Sequence, residues 1–158
     1  MGLDKWTHIL NIKIDKNEQF SGKGRTGSRQ LLLQVIYQRL MNDDNLDALI
    51  KQSRERKEYK RIDQEYFEIL LNEIIENQQK IEELTSDHFD RSIEQINPVE
   101  KVIIWIAACE ILFHSDVPVP VVINEAVELA KLFGAEGSYQ YVNAVIDSFQ
   151  STQSQKGK

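Results

Sequence analysis

Two amphipathic stretches near the C-terminus constrain this chain more than any other feature. Val121-Val-Ile-Asn-Glu-Ala-Val-Glu-Leu-Ala-Lys-Leu-Phe-Gly134 is followed by Ser138-Tyr-Gln-Tyr-Val-Asn-Ala-Val-Ile-Asp147. In the first, Val122, Ala126, Leu129, Ala130 and Phe133 recur at helical spacing and form one apolar stripe. Glu125, Glu128 and Lys131 lie mostly off that stripe, with Glu128 and Lys131 at i,i+3. Gly134 stands where a helix C-cap calls for positive φ. Ser138 is suited to cap the next helix. There Tyr141, Val142, Val145, Ile146 and Phe149 line a second buried face. Two consecutive helices on a short Gly-punctuated joint leave little room for a sheet.

The remainder agrees with an all-α chain. From residue 30 onward strand signals are almost absent, and three prolines and seven glycines interrupt little. At 158 residues the length suits one domain with a sizeable core. The single cysteine, Cys109, excludes an internal disulfide. It sits beside the apolar run Val102–Ala108, where it is expected to be buried and inert. Charges throughout Met1–Phe20 argue against a signal peptide. The most apolar run is bracketed by Lys101 and Glu110, too short to span a bilayer. A cytoplasmic protein without membrane attachment is expected.

The formal net charge is −6, which taken alone argues against a nucleic-acid partner. Its distribution reverses the argument. Residues 1–29 hold Lys5, Lys13, Lys16, Lys23, Arg25 and Arg29 against Asp4, Asp15 and Glu18, a net of +3 that leaves −9 for the remainder. A second basic cluster is Lys51, Arg54, Arg56, Lys57, Lys60 and Arg61, interrupted by Glu55 and Glu58. Residues 62–100 are then heavily acidic. Phosphate binding responds to local potential, so an acidic chain with basic patches can hold RNA. Charge alone favours the alternative, that both clusters are ordinary solvated surface.

Along the chain, residues 1–27 read as an N-terminal extension with a Gly-rich joint, Ser21-Gly-Lys-Gly-Arg-Thr-Gly27. Ser28 is positioned to cap a first helix running from Arg29 to about Asn42, with Leu32, Leu33, Ile36, Tyr37 and Leu40 inward. Leu46–Ser53 suggests a short helix and residues 54–61 a loop. Asp63 opens a long helix that buries Tyr66, Phe67, Leu70, Leu71, Ile74, Ile75 and Ile81. Ser86 or Asp87 is suited to cap a turn with Phe89 and Ile93. Asn97-Pro98 is a strong start signal for a helix to about Phe113, apolar nearly all round and therefore central. Asp116-Val-Pro-Val-Pro120 separates it from the Val121 helix. The expected domain spans residues 28–150, and residues 151–158 form a disordered tail. Helix lengths and short joints fit a compact bundle.

Catalytic chemistry is not written into this sequence. His8, His88 and His114 are isolated, and no metal-ligand spacing is present. Gly22, Gly24 and Gly27 lack the strand-to-helix context of a phosphate loop. The carboxylates lie on amphipathic helices, where a solvated face explains them. Neither enzyme activity, a cofactor nor a metal is expected.

An ordered series of motifs resembles the NusB family of bacterial transcription antitermination factors. It comprises Leu33-Gln-Val-Ile-Tyr37, then Asp63 with Tyr66-Phe67, then Val99-Glu-Lys-x-Ile-x-x-Ile-Ala107 with Glu110-Ile. The C-terminal Asn124-Glu-Ala-Val-Glu-Leu-Ala-Lys131, Phe133-Gly-Ala-Glu136 and Tyr141-Val-Asn-x-Val-x-Asp147 complete it. The resemblance runs from about Lys23 to Asp147. It implies a NusB-like helical bundle of two packed three-helix subdomains. It also implies binding to the boxA RNA of rRNA leader transcripts jointly with the NusE ribosomal protein. The antitermination complex with RNA polymerase would then read through terminators. A homodimer is left open. Two other roles fit the chain: a purely protein-binding helical module, and a stand-alone relative of the RNA-targeting domain of rRNA methyltransferases.

Basic charge at and just before a helix N-terminus, where backbone N–H groups and the dipole also favour anions, marks Lys23, Arg25 and Arg29 as RNA-phosphate contacts. The family pattern points to Tyr141 as a stacking surface, though a core tyrosine fits it as well. For NusE it points to Tyr37 and Glu100. The basic run departs from the family pattern: Lys23-Gly-Arg25-Thr-Gly-Ser-Arg29 carries two arginines with intervening glycines, a thinner and more flexible arm. Gly137 occupies a position often acidic in relatives, where loss of a negative charge favours phosphate approach. The cluster Lys51 to Arg61 lies far in sequence from the family signature and is expected to contribute less.

Overall fold

The computed structural model describes residues 22–90 and 95–156. Expectations for residues 1–21, for Ile93 and for the last two residues fall outside them. The described residues are helices joined by short connections: α1 (Gly24–Asn42), α2 (Leu46–Arg54), a 3-10 turn (Lys57–Lys60), α3 (Gln64–Glu76), α4 (Gln78–Ser86), α5 (Pro98–Phe113), α6 (Val119–Phe133) and α7 (Ser138–Lys156). They fall into two compact units that divide between Ile75 and Glu76.

In the first unit α1 packs on α2. Its interior holds Leu31, Leu32, Leu33, Val35, Ile36 and Tyr37 of α1, Leu49 of α2, and Tyr66, Phe67, Leu70, Leu71 and Ile74 of α3. Asn45 caps α2, accepting from the Ala48 N–H at 2.8 Å. Asp63 caps α3, accepting from the Tyr66 N–H at 3.0 Å. The long helix expected from Asp63 to include Ile81 breaks instead at Asn77, whose φ of −112° and ψ of 18° leave the helical region. The carbonyl of Asn77 then accepts from Ile81 N–H at 2.9 Å and starts α4 afresh.

In the second unit α5 is the centre, packed against α4, α6 and α7. Asn97 accepts from the Val99 N–H at 2.8 Å, and Pro98 opens the helix as its sequence predicts. Residues Val102 to Glu110 are buried without interruption, Cys109 among them. The α6 stripe (Val122, Ala126, Leu129, Ala130, Phe133) and the α7 stripe (Val142, Val145, Ile146, Phe149) both face inward. Tyr141, expected on the second stripe, is half-buried.

Several terminal assignments are corrected. Helix α1 starts at Gly24, so residues 24–27 are helical and not part of an irregular extension. Helix α7 runs to Lys156, so residues 151–156 are helical and not a disordered tail. Gly134 has φ −86° and ψ 174°, extended and not left-handed. Space selects glycine there: a Cβ would stand 2.6 Å from the Ala130 carbonyl oxygen and 2.9 Å from Ser138. Positive φ occurs instead at Gly137, at 81°. Among the described residues no helix is long and apolar enough to cross a membrane.

Candidate nucleic-acid interface

The start of α1 is held by the segment that precedes α3. The Gly24 N–H donates to the Arg61 carbonyl at 2.9 Å, and the Asp63 N–H donates back to the Gly24 carbonyl at 3.0 Å. Together they make a short parallel bridge between Gly24 and Ile62. Ser28, expected to cap the helix, lies inside it and is fully buried. Its hydroxyl reaches the carbonyls of Gly24, at 3.0 Å, and Asp63, at 2.7 Å. Gly27 makes this approach possible. A Cβ on it would stand 2.5 Å from the Gly22 carbonyl oxygen and 2.7 Å from Ile62 Cγ2. The glycines read as marks of a flexible arm thus build a docked helix start.

This docking separates the three basic candidates. Lys23 is the N-cap residue, exposed, and makes no side-chain cap. Arg25 is exposed, lies 4.1 Å above the Tyr66 ring and pairs with Asp63 at 3.7 Å. With both side chains of that pair 46% and 38% exposed, water screens the attraction and leaves the guanidinium open to other anions. Arg29 is a correction: it is a buried residue of α1, 2% exposed, with its guanidinium 5.7 Å from the same Tyr66 ring. A guanidinium so placed packs the interior and does not offer itself to a phosphate in this conformation. Tyr66 was legible as a core aromatic; its role as the plate under both arginines was not.

The second basic cluster is ordered and largely sorted by pairing. Arg54 ends α2 and grips Glu68 of α3 with two bonds, Nε to Oε2 at 2.9 Å and Nη2 to Oε1 at 2.6 Å. The Tyr59 hydroxyl donates to the same carboxylate. That Arg54 bond is the main reason the Glu68 carboxyl is held below its usual range. Burial, then the Glu68 bond, pushes the Tyr59 hydroxyl up. Arg56 pairs with Glu58 at 3.4 Å. Lys57, Lys60 and Arg61 stay exposed. Residues 54–61 were expected as a loop; they comprise the end of α2 and the 3-10 turn.

In the second unit Tyr141 is half-buried on α7. Beside it along the same helix, Tyr139 carries Lys131 at 5.0 Å from its ring centre. Tyr139 lines a groove of about 820 Å³ with Ile123, Val127 and Asn143; Tyr141 does not line it.

Both residues proposed for a protein partner are interior, which corrects that expectation. Tyr37 is 1% exposed. Glu100 is 6% exposed and accepts a 2.5 Å hydrogen bond from the Ser138 hydroxyl. Ser138 therefore ties α7 to the first turn of α5 instead of capping its own helix. Among the described residues no group of three or more His, Cys, Asp or Glu side chains is placed to hold a metal ion.

The sequence pattern of the NusB family matches residues 26–151. The chain is 36% identical over 127 residues to the transcription antitermination protein NusB of Methylobacillus flagellatus, covering 80% of this chain and 82% of that one. It is 39% identical over 129 residues to that of Coxiella burnetii, covering 82% and 94%. Among solved structures, T. maritima NusB superposes with a TM-score of 0.70 at 26% identity, over 80% of this chain and 90% of that one. A structure of the antitermination factors NusB and NusE in complex with dsRNA superposes with a TM-score of 0.71 at 21% identity, over 80% and 96%, a likeness of fold. The chain belongs to the NusB family.

Proposed function

We propose that this NusB-family chain is a non-enzymatic RNA-binding factor that acts with a NusE protein on the boxA element of rRNA leader transcripts and helps RNA polymerase read through terminators. It would work in the cytoplasm. The NusB structure solved with NusE and dsRNA supports this choice of partners. The observation in this chain that carries it is the pair Lys23 and Arg25, exposed at a helix start held by backbone hydrogen bonds. Backbone N–H groups at such a start and the helix dipole favour an anion there, and the two cations add to that field. Tyr141 offers a half-buried ring for base stacking on the second unit.

The test is binding of boxA RNA against a scrambled RNA, with and without NusE, across a salt series. Wild type should prefer boxA, and Lys23→Ala/Arg25→Ala should lower the salt slope by roughly 1.4, about 0.7 for each phosphate contact on a single strand. Equal retention of both RNAs by wild type in the presence of NusE would overturn the proposal. Light scattering on the same samples reads whether the chain is a monomer or a homodimer.

A further inference from the structure

We infer that the 3-10 turn Lys57–Lys60, together with Arg61, is a second phosphate-binding surface for single-stranded RNA, continuous with Lys23 and Arg25. The inference rests on the RNA-binding reading above and extends it to residues far from the helix start in sequence.

Placement comes first. The Arg61 carbonyl accepts from the Gly24 N–H, so the end of the turn is fixed beside the start of α1. Basic residues that are thirty-odd positions apart in the chain share one edge of the first unit. Orientation follows from the anchor. Tyr59 is buried, its ring edge-on to Phe67 at 6.0 Å and its hydroxyl on Glu68. Lys57 and Lys60 are three residues apart, and i,i+3 side chains on a 3-10 helix eclipse about 6 Å apart along its axis. With Tyr59 turned in, both lysines are exposed. That spacing is within one Debye length, about 8 Å at physiological salt, so their potentials add.

Charge accounting completes the argument. Arg54 is taken by Glu68 and Arg56 by Glu58. Lys23, Lys57 and Lys60 make no ion pair among the described residues. The exposed acids nearby are Glu55 and Glu65, and Asp63 lies in a half-exposed pair with Arg25. Lys51 also makes no ion pair among the described residues, but it lies on α2 in a shallow groove lined by Asp47, Arg54 and Glu55, away from the bridge to Gly24. The surface is also wrong for a protein partner. Among the described residues the large exposed apolar side chains are Met41, Ile69, Phe113 and Val121, none of them within residues 54–66. Cations without an apolar anchor suit a phosphate backbone better than a protein hot spot.

The experiment compares wild type, Lys57→Ala/Lys60→Ala and Lys51→Ala on two probes: a boxA oligonucleotide alone, and the same oligonucleotide with single-stranded uridine flanks. Exposed lysines leave the core untouched, and thermal melts confirm that each variant folds. The double variant should bind the bare oligonucleotide like wild type. On the flanked RNA it should lose roughly 1.4 in salt slope, with affinity lower by several-fold, while Lys51→Ala stays near wild type. Wild-type slope and affinity for the double variant on flanked RNA would overturn this inference and leave the boxA reading standing. Failure of wild type to hold either probe with NusE present would overturn both.

Discussion

Two helix starts in this molecule are built on opposite terms. Helix α5 begins with Asn97 as cap, Pro98 at its first position and Glu100 in its first turn. Each agrees with what an α-helix N-terminus prefers. Glu100 is buried there and bonded to Ser138. Helix α1 begins with no side-chain cap and no acidic residue in its first turn; it carries Arg25 and follows Lys23. Positive charge at a helix N-terminus opposes the dipole. What holds this start is tertiary: the backbone bonds to Arg61 and Asp63, the buried Ser28 and the plate of Tyr66. A start that is locally disfavoured, yet braced from outside, keeps Lys23 exposed and Arg25 in a half-exposed pair with Asp63 that water screens. The α5 start is built for stability, and the proposed phosphate contact falls at the α1 start.

The largest expected effect tests the first half. Glu100→Lys places an ammonium group where a carboxylate now accepts from Ser138. An uncompensated charge in that interior site should cost at least about 3 kcal/mol in urea unfolding. RNA binding by the fraction still folded should stay near wild type. A stability loss within about 0.5 kcal/mol, as for an ordinary surface change, would remove the structural role given to Glu100.

The same two starts show what could be read from sequence. The α5 start was legible because Asn, Pro and an apolar run act within four residues of each other. The faces of α6 and α7 were legible because Val122 to Phe133 and Val142 to Phe149 repeat at helical period. The α1 start was not. Gly27 is required by Gly22 and Ile62, and Ser28 is spent on Asp63, a residue 35 positions away. No local pattern records such contacts. The same limit explains Arg29, Tyr37 and Glu100. A charged or amphipathic side chain looks available in a sequence, and only the packing of neighbouring helices decides whether it is. The family pattern marks the framework well because framework residues are tied to one another. It says less about Lys57 and Lys60, which the fold only holds in place.

Lys23→Asp sharpens the comparison with a smaller effect of opposite sign. Lys23 is the N-cap residue of α1 and its side chain caps nothing. Aspartate there accepts from a first-turn N–H and agrees with the dipole, which should raise stability by about 1 kcal/mol. RNA affinity should fall, because a phosphate contact becomes a repulsive charge. A variant that is more stable and binds RNA as tightly as wild type would show that the α1 start is not where the backbone is held.

The smallest effect concerns the brace itself. Glu68 ties Tyr59, and through it the turn ending at Arg61, to α3. The Glu68 carboxyl sits below its ordinary value, chiefly because of the Arg54 hydrogen bond. A depressed carboxyl contributes stability that is present above its unfolded pKa, about 4.3, and is lost as pH falls through the folded value. Tyr59 is raised, by burial first, so its contribution is full below about pH 10 and lost as pH rises through its folded value. The cluster is therefore intact across neutral pH and loosens at both extremes. Arg54 is 58% exposed, so solvent weakens the pair. The wild-type melting temperature should exceed that of Glu68→Gln at neutral pH by a few degrees at most. The gap should close as pH drops below about 4. A gap that is the same at pH 3 and pH 7 would mean that Glu68 braces the turn by its shape alone, and that the edge carrying Lys57 and Lys60 does not depend on its charge.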